Sequence, residues 1–144
     1  MREAKLDEAG VAYQKAIGAD ATNLQLYEDY GHVLFTQRKY EEAAKLFDSA
    51  VGRDPKFAIG YYYRARALRA LDRRQEAVAA YQKYIQMRPE DPDPYYGLGQ
   101  TLKALGENSA AVEAFRKYVS MDHRPDDQRF VEKARGEIEA LTKH

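Results

Sequence analysis

Four stretches decide the fold: LDEAGVAYQKAI at 6–17, YEEAAKLFDSAV at 40–51, RQEAVAAYQKYI at 74–85 and NSAAVEAFRKYV at 108–119. In each, a small residue precedes an aromatic by four places. The pairs are Ala9 and Tyr13, Ala43 and Phe47, Ala77 and Tyr81, and Ala111 and Phe115. The alanines stand 34 residues apart at every step. Residues four apart share one face of a helix, so each stretch predicts a helix with a stripe made to pack. A fixed period of this length predicts one helix–turn–helix per repeat.

The other half of each period repeats too. Tyr27, Tyr30-Gly31 and Leu34 are followed in phase by Tyr61, Arg64-Ala65 and Leu68, then by Tyr95, Leu98-Gly99 and Leu102. Pro55 and Pro89 close two repeats, because proline cannot continue a helix. Several positions recurring together make the chain resemble the tetratricopeptide repeat proteins from about residue 2 to the C-terminus. The resemblance implies an all-α fold, a right-handed α-solenoid of antiparallel helix pairs, with about eight helices. The small residues Gly31, Ala65 and Gly99 are expected opposite Ala43, Ala77 and Ala111, where they let helices approach closely. No single pair buries its apolar face alone, so stacking makes the core.

The predicted helices are 2–17, 24–37, 40–52, 58–70, 74–87, 93–105, 108–121 and 127–142. As one domain, 1–144, they divide into a lone second helix (2–21), three repeats (24–55, 58–89 and 92–123) and a capping helix (126–143). Asp91 before Pro92 reads as a helix N-cap. The first unit lacks its first helix, and an unpartnered helix would expose Leu6, Tyr13 and Ile17. The segment therefore reads as a fragment of a longer protein. The cap shows Val131, Ala134, Ile138 and Leu141 at three- and four-residue steps, giving one apolar stripe. Tyr84 and Tyr118 stand where the first two repeats have Ala16 and Ala50. They read as packing residues that push the following helix outward or wedge against it.

Composition narrows the function. Lys and Arg number 23, Asp and Glu 23, so the net charge is zero. That argues against nucleic acid or a membrane surface as partner, since both reward a positive field. There is no cysteine for a disulfide, a zinc site or a thiol nucleophile. No apolar run is long enough to insert into a bilayer. The histidines, His32, His123 and His144, share no helix at ligand spacing, so no metal is expected. Gly97-Leu98-Gly99 lacks a third glycine and a preceding strand, and so fails as a dinucleotide loop. Glu41-Glu42 and Asp126-Asp127 are neighbours that point apart on a helix. Ser49, Ser109 and Ser120 have no base nearby in sequence. No catalytic residue and no cofactor are expected.

The family resemblance places ligands in a concave groove lined by the first helices of successive repeats. Helical spacing puts Gln25, Glu28, His32 and Phe35 there from the first full repeat. Tyr62, Tyr63, Arg66 and Arg69 follow from the second, and Asp93, Tyr96, Gln100 and Lys103 from the third. Tyr62 and Tyr96 hold equivalent positions and are expected to form a ladder. Chaperone-binding members of the family hold a carboxylate with a Lys and an Asn four residues apart. Here Glu28 and His32 stand at those places, so that clamp is not recognisable. The expected function is a non-catalytic protein-interaction module, a scaffold or adaptor. Its partner would be a peptide, helix or protein domain, apolar with acidic residues. The alternative is a structural spacer in a longer solenoid, or self-association through the exposed N-terminal helix. The default location is the cytoplasm.

Overall fold

The structure is a computed structural model that describes residues 2–143, so Met1 and His144 lie outside the described residues. Its helices are α1 (Arg2–Ala19), α2 (Leu24–Thr36), α3 (Tyr40–Arg53), α4 (Ala58–Ala70), α5 (Arg74–Met87), α6 (Asp93–Ala104), α7 (Asn108–Ser120) and α8 (Gln128–Thr142). A single 3-10 turn, Pro125–Asp127, precedes α8. No strand occurs among the described residues, and every predicted helix is present within two residues of its expected ends. No helix among them is long and apolar enough to cross a membrane. The chain forms two compact units, one ending at Asp72 and the other beginning at Arg73.

The first unit holds α1 to α4. Its core comes from the repeat positions: Tyr27, Tyr30 and Leu34 of α2 with Ala43, Phe47 and Ala50 of α3. Phe47, Ala43 and Ala50 are fully buried. Gly31 lies against the Phe47 ring, so close that a methyl group would overlap it. The neighbour that sets the helix spacing at Gly31 is thus the aromatic four residues beyond Ala43. α1 has no buried residue. It attaches through Tyr13 stacked on Tyr30 at 6.4 Å and through Gln14, which donates to the Tyr30 hydroxyl at 2.8 Å.

The second unit holds α5 to α8. Tyr81, Phe115, Ala111 and Ala77 are almost wholly buried in it, and Leu98 and Leu102 are buried as well. Gly99 repeats the arrangement of Gly31, with Phe115 ring atoms 2.7–2.9 Å from where a methyl would stand. Thr101 is buried but satisfied, since its hydroxyl donates to the Gly97 carbonyl at 2.7 Å. α8 buries Val131 and Ala134, while Ile138 and Leu141 of the same stripe are half-buried.

Tyr84 and Tyr118 are both buried, and both grip the loop that follows their helix. The Tyr84 hydroxyl donates to Asp91. The second Asp91 oxygen accepts the Asp93 amide at 3.0 Å, the N-cap role expected of it, although α6 starts one residue later than the Asp-Pro pattern suggests. The Tyr118 ring meets His123 edge to face at 4.4 Å.

Candidate ligand-binding faces

In the first unit the predicted groove residues converge. Phe35 of α2 and Tyr63 of α4 have ring centroids 6.0 Å apart, and Tyr63 stacks on Phe47 at 5.2 Å. His32 meets Tyr63 edge-on at 5.3 Å, with the hydroxyl 3.4 Å from Nε2. Tyr62 packs against Tyr63 at 5.6 Å. Burial pushes the Tyr63 hydroxyl up, and the Glu28 charge adds to that while Arg66 opposes it. Glu28 therefore sits within electrostatic reach of the cluster. Gln25 is turned to its own helix, donating to Asp29 at 3.0 Å.

Arg66 crowns this cluster. Its guanidinium lies 5.0 Å from the Phe35 centroid, 5.6 Å from Tyr63 and 5.8 Å from Tyr62. Ring faces attract a cation and hold it without neutralising it. Among the described residues neither Arg66 nor Arg69 has a carboxylate within ion-pair distance. Both line an open hollow of about 470 Å³ together with Phe35, Tyr40, Ala70 and Asp72. Tyr40 was not among the expected groove residues. It opens α3, immediately after the turn that ends α2, and its ring meets Phe35 at 5.9 Å. Its position at a helix start hid it from a search along first helices.

In the second unit the expected residues are engaged with one another and with α8. Lys103 is not a free groove cation, because its ammonium is bound to Glu137 of α8 at 2.7 Å. Tyr96 accepts from Gln100 at 3.2 Å and is packed among Phe115, Tyr118 and Phe130, at 5.9, 5.4 and 5.6 Å. The capping helix contributes cations of its own. Arg129 and Lys133 lie over the Phe130 ring at 4.9 and 5.6 Å. Phe130 stands one residue before the apolar stripe, which is the signal that could have found it. Asp93 is engaged by Arg124 at 3.4 Å. Among the described residues no cluster of three or more acidic or histidine side chains could hold a metal ion.

These helices recur at a fixed period, with aromatic and cationic side chains brought together within each unit. That defines a class, the α-helical repeat proteins. Models of the tetratricopeptide repeat match residues 29–92 and 68–130, and the chain belongs to the tetratricopeptide repeat proteins. No curated protein matches the chain by sequence. Among solved structures, a MamA protein is similar over 99% of this chain and 80% of its own, at 26% identity and a TM-score of 0.79. The Yersinia enterocolitica type III secretion chaperone SycD, in complex with a peptide of the translocator YopD, shares 17% identity. That likeness covers 82% of this chain and 91% of SycD, with a TM-score of 0.78. The TPR2B domain of yeast Sti1, in its complex with pHsp70, shares 24% identity over 81% of this chain and 95% of that domain, with a TM-score of 0.73.

Proposed function

We propose that the chain is a non-catalytic protein-interaction module whose first unit takes an apolar segment carrying acidic residues. The observation that carries this reading is Arg66, held over three aromatic rings yet left without a carboxylate, beside Arg69 in an aromatic hollow. A guanidinium already oriented by its rings loses little freedom on binding a carboxylate and offers two parallel donors to it. Phe35 and Tyr40 supply apolar area beside the charge. Tyr and Arg are also the residue types most enriched at binding hot spots. The SycD and Sti1 structures, each solved with a peptide or partner, support this reading by likeness of fold.

The test is fluorescence anisotropy with a labelled peptide alternating Glu with Leu and Phe, and with its Lys-substituted counterpart. The acidic peptide is expected to bind and the basic one not. Arg66→Glu, checked by circular dichroism, should weaken binding by at least about tenfold. Added salt should weaken it as well. Equal binding of both peptides, or no effect of Arg66→Glu, would remove the hollow from the reading.

One observation favours self-association as a second reading. α1 has no buried residue, and Val11 on it is 51% exposed. Sedimentation at rising concentration tests it. A mass that does not change would discard it.

A further inference from the structure

The loop between α7 and α8 carries a buried histidine whose hydrogen bonding is incomplete. The His123 side chain is 5% exposed. Its Nε2 stands 2.6 Å from the Tyr118 carbonyl oxygen. A carbonyl only accepts, so Nε2 carries the hydrogen and donates it. Nδ1 is buried with no hydrogen-bond partner among the described residues, and it faces the Asp127 carboxylate at 3.8 Å. In the neutral ring Nδ1 presents a lone pair to that carboxylate, so two acceptors oppose each other. A proton on Nδ1 turns the same contact into a donor facing an anion.

Charged groups from several elements surround the ring. From the start of α6 comes Asp93, with Asp91 just before it. The loop supplies Asp122 and Arg124, the 3-10 turn supplies Asp127, and α7 supplies the Tyr118 ring and carbonyl. The charged groups line one hollow of about 400 Å³ with His123. Four carboxylates thus stand against one guanidinium. Arg124 is already shared, with its guanidinium 3.2 Å from Asp127 and 3.4 Å from Asp93.

We propose that His123 and Asp127 form a proton-operated latch, which seats α8 more firmly when the imidazole is charged. Asp127 is the last residue before α8, so what holds its carboxylate holds the entry to that helix. α8 in turn carries Phe130 against Tyr96 and Glu137 against Lys103, so the latch governs how α6 and α8 share one face. Charging the imidazole therefore tightens the C-terminal end of the second unit.

The test is amide exchange on the whole chain, read as protection factors so that the intrinsic pH dependence of exchange is removed. Protection of α8 is expected to be roughly tenfold higher near pH 5.5 than near pH 8, the low end of what one charge-assisted hydrogen bond is worth. His123→Gln should abolish the difference. Asp127→Asn, which leaves the imidazole in place, should abolish it too and guards against a variant that misfolds. Equal protection at both pH values, higher protection at the alkaline one, or a difference that survives in His123→Gln would overturn the latch.

Discussion

Tyr84 shows how much one side chain does. Its ring is buried, and its hydroxyl holds the aspartate that caps α6. Tyr84→Phe keeps the ring and should cost about 1.5 kcal/mol, the low end for a hydrogen bond to a carboxylate. Tyr84→Ala should cost about 3 kcal/mol or more, because it also empties the site. Urea unfolding of the two variants separates these effects, and a loss below about 0.5 kcal/mol for the alanine would mean the ring is not buried. Gly31 makes the complementary point. Gly31→Ala would drive a methyl into the buried Phe47 ring and should cost about 1–3 kcal/mol. Adding Phe47→Leu should recover part of that loss, a coupling that a double-mutant cycle would measure. Both residues were legible in the sequence as repeat positions. Their partners were less so. The nearest neighbour of Gly31 is a phenyl ring, because that ring reaches back along the helix towards its N-terminus. The hydroxyl of Tyr84 had no signal at all, since a bond to a loop seven residues away has no period.

At the level of elements, α8 carries the difference between expectation and structure. Its apolar stripe was readable, and Val131 and Ala134 are buried as a cap requires. What it adds to the groove was not, because Lys103–Glu137 and Tyr96–Phe130 join residues on elements whose spacing no repeat dictates. The attachment of α8 depends on pH at the acid end as well. The hydrogen bond from Arg124 holds the Asp127 carboxyl below the usual carboxylate range, against a smaller opposing effect of burial. A carboxylate whose folded value is depressed contributes stability above the unfolded value, and loses it as pH falls through the folded one. Arg124→Gln should therefore flatten the acid limb of a stability-against-pH curve measured by circular dichroism. Asp93 acts in the opposite sense, being raised first by burial and then by Asp91. Tyr118 is pushed up to about 12, chiefly by burial and then by Asp127 and Asp93. It stays neutral through any physiological range.

Across the whole molecule, burial is uneven, and stability should follow it. α1 buries no residue, whereas α3 and α7 each bury their alanine–aromatic stripe. Repeat arrays gain stability from each helix and its neighbours, so a helix with one neighbour opens first. Hydrogen exchange followed by mass spectrometry should find α1 least protected and α3 and α7 most. Equal protection throughout would mean that opening is global. The architecture was legible because it rests on a period, and a period survives substitution at individual positions. The distribution of charge over the groove was not, because each cation is free or spent according to one neighbour. Among the described residues Arg66 has no carboxylate partner, and Lys103 has one.

The turns that end α2, α4 and α6 place Arg38, Asp72 and Gly106 in the left-handed region, at φ of 58°, 59° and 79°. The first and third close alike, with the following amide bonded back to Leu34 and to Leu102 at 2.8 and 2.9 Å. These three residues share the 34-residue phase of the helices. Any one of the turns is thus a splice point of the same shape as the others. A segment of one full period cut out at one turn, or copied into another, returns the chain to the same bend in the same register. Lengthening by duplication is the change of size that such a chain tolerates best, and any other insertion there would have to rebuild the bend.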